Sequence, residues 1–166
     1  MSLVDVILSR RSVRRYHKKE IPNDVLNKIL EAGRQAPSAA NRQPFHLIVL
    51  TDNNLKRELS NGLFNRFIKH SPVAIVGCAN TGGIFAGKWS IVDTSIALQN
   101  MVIAAWVMGV GSCWIGDFKE ETVKKLLDIP KKWKVVAIIT FGYPIEQAKP
   151  RNKKPISKIV SFNKFS

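Results

Sequence analysis

Two arginine-rich stretches lie at opposite ends of the sequence, RRSVRRY at residues 10–16 and KPRNKKP at residues 149–155. Arginine presents a planar fork of donors that matches phosphate oxygens, and lysine adds a mobile point charge. If one domain brings both ends to one place, Arg10, Arg11, Arg14, Arg151 and Lys153 form a site for a small phosphate-bearing ligand. Between them lie PSAANRQP at residues 37–44 and GVGSCWIG at residues 109–116. Both are short, turn-rich and low in charge, which suits a flat ring better than a phosphate.

Other chemistries find little support. Gly109-Val110-Gly111 has the start of a dinucleotide-binding glycine loop, but Trp114 holds the third glycine position. The segment also ends a helix and enters a strand, the reverse of the required context. No Walker motif is present. His17, His46 and His70 have no Ser, Cys or carboxylate at a suggestive spacing, so structural or surface roles are expected. Cys78 and Cys113 have neither a CxxC pattern nor a Cys/His neighbour at metal-ligand spacing. They read as two buried free thiols in a reducing cytosol. Hydrolytic and metal chemistry therefore lack a carrier, and an enzyme with this sequence would rely on a cofactor.

The net charge is +14, from 26 basic and 12 acidic residues. Six of the basic residues fall between positions 10 and 19 and six between 149 and 164. One phosphate does not need twelve cations. The surplus is read three ways: a solvated surface, nucleic-acid binding, or steering of small anions. Tyr16 is the one aromatic residue interleaved with the N-terminal cluster, which gives bases little to stack on.

These residues must be positioned by a fold, and 166 residues predict one domain over 1–166 with a proper core. A short helix is expected over residues 2–10. A second starts at Ile21-Pro22-Asn23-Asp24, carries Val25, Leu26, Ile29 and Leu30 as one stripe, and ends by Gly33 and Pro37. Strands are expected over 45–51, 73–79, 112–115 and 135–141. Residues 54–69 read as a weak helix, 80–87 as a Gly-rich loop, 120–127 as a helix stopped by Pro130, and 145–155 as a polar crossing segment. Residues 156–160 form a final short helix or strand.

The helix over about 88–108 is apolar on nearly every side, which predicts burial against a partner subunit; the alternative is the central helix of a monomer. Asp93, Gln99 and Asn100 interrupt the apolar stretch 91–115, so no membrane span is expected. No signal peptide is expected, because residues 2–16 turn basic before an apolar core develops. The element order α-α-β-α-β-α-β-α-β describes an α+β or α/β sandwich around one sheet.

Four segments together carry a resemblance. Arg10-Arg11-Ser12-Val13-Arg14 after a short helix resembles the opening of the nitroreductase family of FMN enzymes. Residues 37–45 resemble that family's second signature, GVGSCWIG its third. Gly142-Tyr143-Pro144 with Arg151, Lys153, Ile159 and Val160 is similar to its C-terminal end. The resemblance implies an α+β sandwich with a central, mostly antiparallel sheet flanked by helices, in an intertwined homodimer.

The resemblance also implies roles. Arg10, Ser12 and Arg14 would hold the phosphate and ribityl chain of FMN, with Arg11 beside them, and Arg151 and Lys153 would reach the same phosphate. Pro37, Ser38, Ala39 and Asn41 would come from the other subunit and border the ring. Backbone at Trp114, Ile115 and Gly116 would face its reactive N5, and Asn65 would supply an amide at the pyrimidine edge. Ala39 stands where many relatives have a second serine. The stretch 61–89 is short, which implies an open flavin face. The implied activity is a cytoplasmic, FMN-dependent oxidoreductase in which NAD(P)H reduces the flavin and leaves before a small-molecule acceptor, such as a nitroaromatic or quinone, takes its place. The alternatives are a non-reductase flavin enzyme of the destructase type and a basic nucleic-acid-binding module. The resemblance assigns no protein acid or base to the reaction.

Overall fold

The computed structural model describes residues 2–83, 88–146 and 149–165. Residues 84–87 of the Gly-rich loop and 147–148 of the crossing segment lie outside the described residues. Four strands form one sheet: β1 (Phe45–Leu50), β2 (Val73–Asn80), β3 (Gly111–Ile115) and β4 (Trp133–Gly142). Their spatial order is β1-β2-β4-β3, and every neighbouring pair is antiparallel. The helices are α1 (Leu3–Ser9), α2 (Asn23–Arg34), α3 (Asn53–Glu58), α4 (Lys88–Val107) and α5 (Glu120–Leu126). The expected order and the α+β class are both found.

The apolar patterns explain the layers. Strands β2 and β4 are central and covered on both faces, so their sequences run apolar without alternation. One face packs on α2 and α4 through Ile29, Ile75, Leu98, Met101, Ile139 and Phe141. The other packs under α3, α5 and the 60–70 segment through Leu59, Ile68, Val76, Val123 and Ile138. Local chemistry sets the helix starts. The Ser2 hydroxyl accepts from the Asp5 N–H while the Ser2 N–H donates to the Asp5 carboxylate, a capping box that opens α1. Asp52 caps α3 by accepting from the N–H groups of Asn54 and Leu55.

Two expectations are revised. The weak helix over 54–69 stops at Glu58; the chain then runs irregularly to a single 3₁₀ turn, Ile68–His70. Residues 156–160 contain one exposed 3₁₀ turn, Ile156–Lys158, with too little packing to extend. Helix α4 is not enclosed all round. Ala97, Leu98, Met101, Val102 and Ala105 are buried, but Trp89, Val92 and Val107 are exposed, and Ile96 and Ile103 are only partly covered. One apolar stripe thus faces outward. The helix has the length and composition of a membrane span. It packs instead on α2 and the sheet, with the Asp93 carboxylate buried on its inner face.

Candidate functional site

The basic segment at residues 10–16 is built as an edge to the sheet. Helix α1 stops at Arg10, whose N–H still reaches the Val6 carbonyl at 3.1 Å. The indole N–H of Trp106 on α4 donates to the Ser9 hydroxyl at 3.0 Å and pins this end of α1. The chain then runs parallel to β3, with Ser12 opposite Ser112 and the Val13 N–H donating to the Ser112 carbonyl at 2.8 Å. Tyr16 pairs with Pro144, and the His17 N–H donates to the Tyr143 carbonyl at 2.9 Å.

Two glycines make this approach possible. A Cβ on Gly111 would lie 2.7 Å from Cγ2 of Val13, and one on Gly142 would lie 2.8 Å from the Tyr16 ring. Only a hydrogen fits at either place.

The two ends of the chain converge. Arg10, Arg11, Ser12 and Arg14 line a cleft of ≈ 220 Å³ together with Leu8, Lys149, Arg151 and Lys153. Arg151 and Lys153 thus line one cleft with the N-terminal cluster, and Lys149 joins them. Arg11 has a second engagement: its Nη1 donates to the carbonyls of Leu8 at 2.7 Å and Arg10 at 2.9 Å. It satisfies the open C-terminal end of α1, which leaves it less of its fork for a ligand. Arg14 stacks 5.9 Å from the Phe67 ring centroid. Arg15 turns away to an exposed ion pair with Glu146. Cys113 lies under this cluster, buried and free. Burial pushes its thiol above the ordinary value, while Arg14, the Ser12 hydroxyl, Arg10 and Arg151 pull it down.

Residues 37–44 form a separate, strained loop. Ala40, Asn41 and Gln43 all have φ near +50°, a conformation that non-glycine residues adopt at a cost of about 1 kcal/mol or more each. The loop is held from within by the Ser38 hydroxyl, which accepts from the Gln43 N–H at 2.9 Å. It is held from outside by Asp93 of α4, whose two carboxylate oxygens each lie 3.2 Å from the Ala39 N–H. Asp93 was seen in the sequence only as a break in an apolar run; nothing local announces a bond spanning 54 positions. Pro37, Ala39 and Asn41 are exposed, Ser38 is half-buried, and none of the four lines the basic cleft.

The third segment follows β3. Trp114 is half-buried, with its indole N–H 3.2 Å from Oε1 of Gln99, and Ile115 sends its side chain into the core. Gly116 is exposed, and a Cβ there would meet nothing within 4 Å. That open space is compatible with a flat group lying against the backbone.

Asn65 has a structural engagement instead of an open amide edge. It is only 2% exposed; its Oδ1 accepts from the Gly62 N–H at 2.8 Å and its Nδ2 donates to the Asp117 carbonyl at 2.7 Å. The Phe64 N–H closes the clamp on the Asp117 carboxylate at 2.6 Å. The expected role at a ligand's edge would need this clamp to open. The clamp also ties the exposed Leu63–Phe64 stretch to Asp117, the residue after Gly116, a link that no spacing in the sequence signalled.

The sequence model of the nitroreductase family matches this chain over residues 7–81 and 64–143, from the basic segment through β4. The chain belongs to the nitroreductase family. It is an oxidoreductase with that family's fold. A relative from Methanothermobacter thermautotrophicus, whose name offers both NADH dehydrogenase and NAD(P)H nitroreductase, is 32% identical over 158 residues, covering 92% of this chain and 82% of its own. A solved structure described as an FMN-dependent nitroreductase from Clostridium difficile R20291 has 31% identity and a TM-score of 0.85, covering 98% of this chain and 99% of that one. A Bacillus subtilis protein named FMN reductase [NAD(P)H] is 24% identical over 174 residues, with 92% of this chain and 70% of that protein aligned.

Proposed function

We propose that this chain, as a homodimer, binds FMN and uses NAD(P)H to reduce flat electron acceptors such as nitroaromatics or quinones. The observation that carries this reading is the cleft where Arg10, Ser12, Arg14, Arg151 and Lys153 meet beside the first residues of β3. Ser12 pairs with Ser112, and Gly116 lies four residues further along the same strand line. At roughly 3.3 Å per residue that is about 13 Å, the scale of a ribityl phosphate plus part of its ring system. An anion grip at one end and an unfilled backbone face at the other fit FMN in both chemistry and length.

FMN bound there would supply two-electron transfer from NAD(P)H to an acceptor in two successive half-reactions. The chain's own residues bind and orient. The arginine forks would neutralise the phosphate, the backbone at 114–116 would face the ring, and exposed Leu63 and Phe64 would offer apolar surface to an acceptor. No carboxylate or histidine is assigned a proton. The second group of residues supports the dimer. Pro37, Ala39 and Asn41 are exposed and Ser38 half-buried, none of them lining the chain's own cleft, and the α4 stripe leaves Val92 and Val107 exposed and Ile96 and Ile103 only partly covered. A second copy packed on that stripe buries it and receives the loop at its own flavin. Two buried free thiols support a reducing, cytoplasmic setting for this dimer.

The first test is optical. Purified protein is expected to be yellow and to release FMN on heating, and NAD(P)H is expected to bleach it. Colourless protein that takes up no added FMN would sink the reading. Flavin that stays oxidised under excess NAD(P)H would favour the non-reductase alternative.

The surplus cations give a kinetic test. Lys149 and Arg11 line the cleft beyond the residues needed to hold one phosphate, and Lys154 and Lys158 sit exposed on the same C-terminal segment. Their field should draw in anionic NAD(P)H. The apparent second-order rate of flavin reduction, followed by stopped flow, is expected to fall several-fold between about 10 mM and 1 M salt, as the Debye length shrinks from ~30 to ~3 Å. A flat salt profile would assign these charges to solvation alone.

A further inference from the structure

Val13 stands between Ser12 and Arg14, two residues of the cleft, and both of its backbone polar groups are held by the sheet. Its N–H donates to the Ser112 carbonyl at 2.8 Å. Its carbonyl accepts from the phenol hydrogen of Tyr16. That phenol has one hydrogen, so its contact with Thr140 at 2.8 Å is made by the Thr140 hydroxyl donating to the phenol oxygen. Tyr16 is 5% and Thr140 0% exposed. Burial raises the phenol's pKa above its ordinary value, so it remains a donor throughout the working pH range.

The chain Thr140–Tyr16–Val13 thus ties the peptide between Val13 and Arg14 to the central strand β4. The Ser112 contact ties the peptide between Ser12 and Val13 to β3. Ser12 and Arg14 each hang from one of these two fixed peptides. A phenylalanine would fill the volume of Tyr16 equally well; only the hydroxyl reaches Val13. Buried polar links of this kind fix one geometry at the expense of an easier apolar alternative.

Resting on the FMN reading above, we propose that Tyr16 is a positioning residue for the anion grip. Its hydroxyl, braced by Thr140, holds the Val13 carbonyl so that Ser12 and Arg14 present to the phosphate. The latch does not touch the ring and has no part in holding it.

The test compares FMN with riboflavin, which lacks the phosphate, by fluorescence titration of apoprotein. Wild-type protein should prefer FMN. Tyr16→Phe should weaken FMN about tenfold and leave riboflavin unchanged within twofold, so the preference collapses. Thr140→Val should show the same pattern more weakly, and Thr140→Ser, which keeps the hydroxyl, should restore it. If Tyr16→Phe fails to fold, the Thr140 pair carries the measurement, since the aromatic ring stays in place. Variants that lose FMN and riboflavin equally, or keep the wild-type preference while melting earlier, would overturn the latch and leave a plain core contact. Wild-type protein with no preference for FMN would overturn the phosphate site itself, and the latch with it.

Discussion

Replacing Ile103 by aspartate is expected to split the dimer and abolish FMN retention together, although Ile103 is far from the basic cleft in sequence and lines none of it. Ile103 is partly covered in the single chain and shares the outward stripe of α4 with Val92, Ile96 and Val107. Interfaces on which folding depends bury roughly 2,000–5,000 Å² and resemble a core cut in half. An unpaired carboxylate in such a place costs ~3–5 kcal/mol, about two to four decades in association. Sedimentation should show monomer where wild-type protein is dimeric. The absorbance of bound flavin should disappear in parallel, because in the proposed dimer the 37–41 loop of each copy would no longer reach its neighbour. Ile103→Leu should keep both properties. The melting temperature of wild-type protein should also rise with protein concentration. A stable monomer that still holds FMN tightly would refute the interface and the shared site at once.

Arg10→Ala and Arg151→Ala are each expected to weaken FMN by one to two decades, measured by titration of apoprotein. The basis is the loss of a charged hydrogen bond, roughly 1.5–3 kcal/mol. The two residues line one cleft from opposite ends of the chain, so the double variant should lose less than the sum. Arg11→Ala should cost less FMN affinity and more thermal stability, because its Nη1 serves the carbonyls of Leu8 and Arg10. Strictly additive losses, or none from Arg151→Ala, would mean the two ends do not share a ligand.

What the sequence made legible was whatever local pattern determines. The apolar runs VAIVGCA and VVAIITF have no polar face to expose, so β2 and β4 had to be covered on both sides. The converging basic ends were legible because little else in the sequence matches a phosphate. Long-range bonds were not legible. The irregular stretch after Glu58 is anchored by Asn65 reaching Asp117, 52 positions away, a partner that no local propensity contains. The anchoring of Ala39 by Asp93 is of the same kind. The open stripe of α4 was half legible. Composition showed too much apolar surface, but only packing shows which side the sheet takes and which side is left.

The basic cleft joins residues 10–14 to residues 149–153, two segments far apart in the sequence. A growing chain can assemble β1, β2, α4 and β3 long before Arg151 exists, since domains fold as their residues emerge. The cleft can therefore play no part in guiding early folding. A ligand gripped from both sides of the cleft can be held only once Arg151 and Lys153 are in place. A chain broken off after β4 would keep both faces of its sheet covered and still lack the far wall of its anion grip.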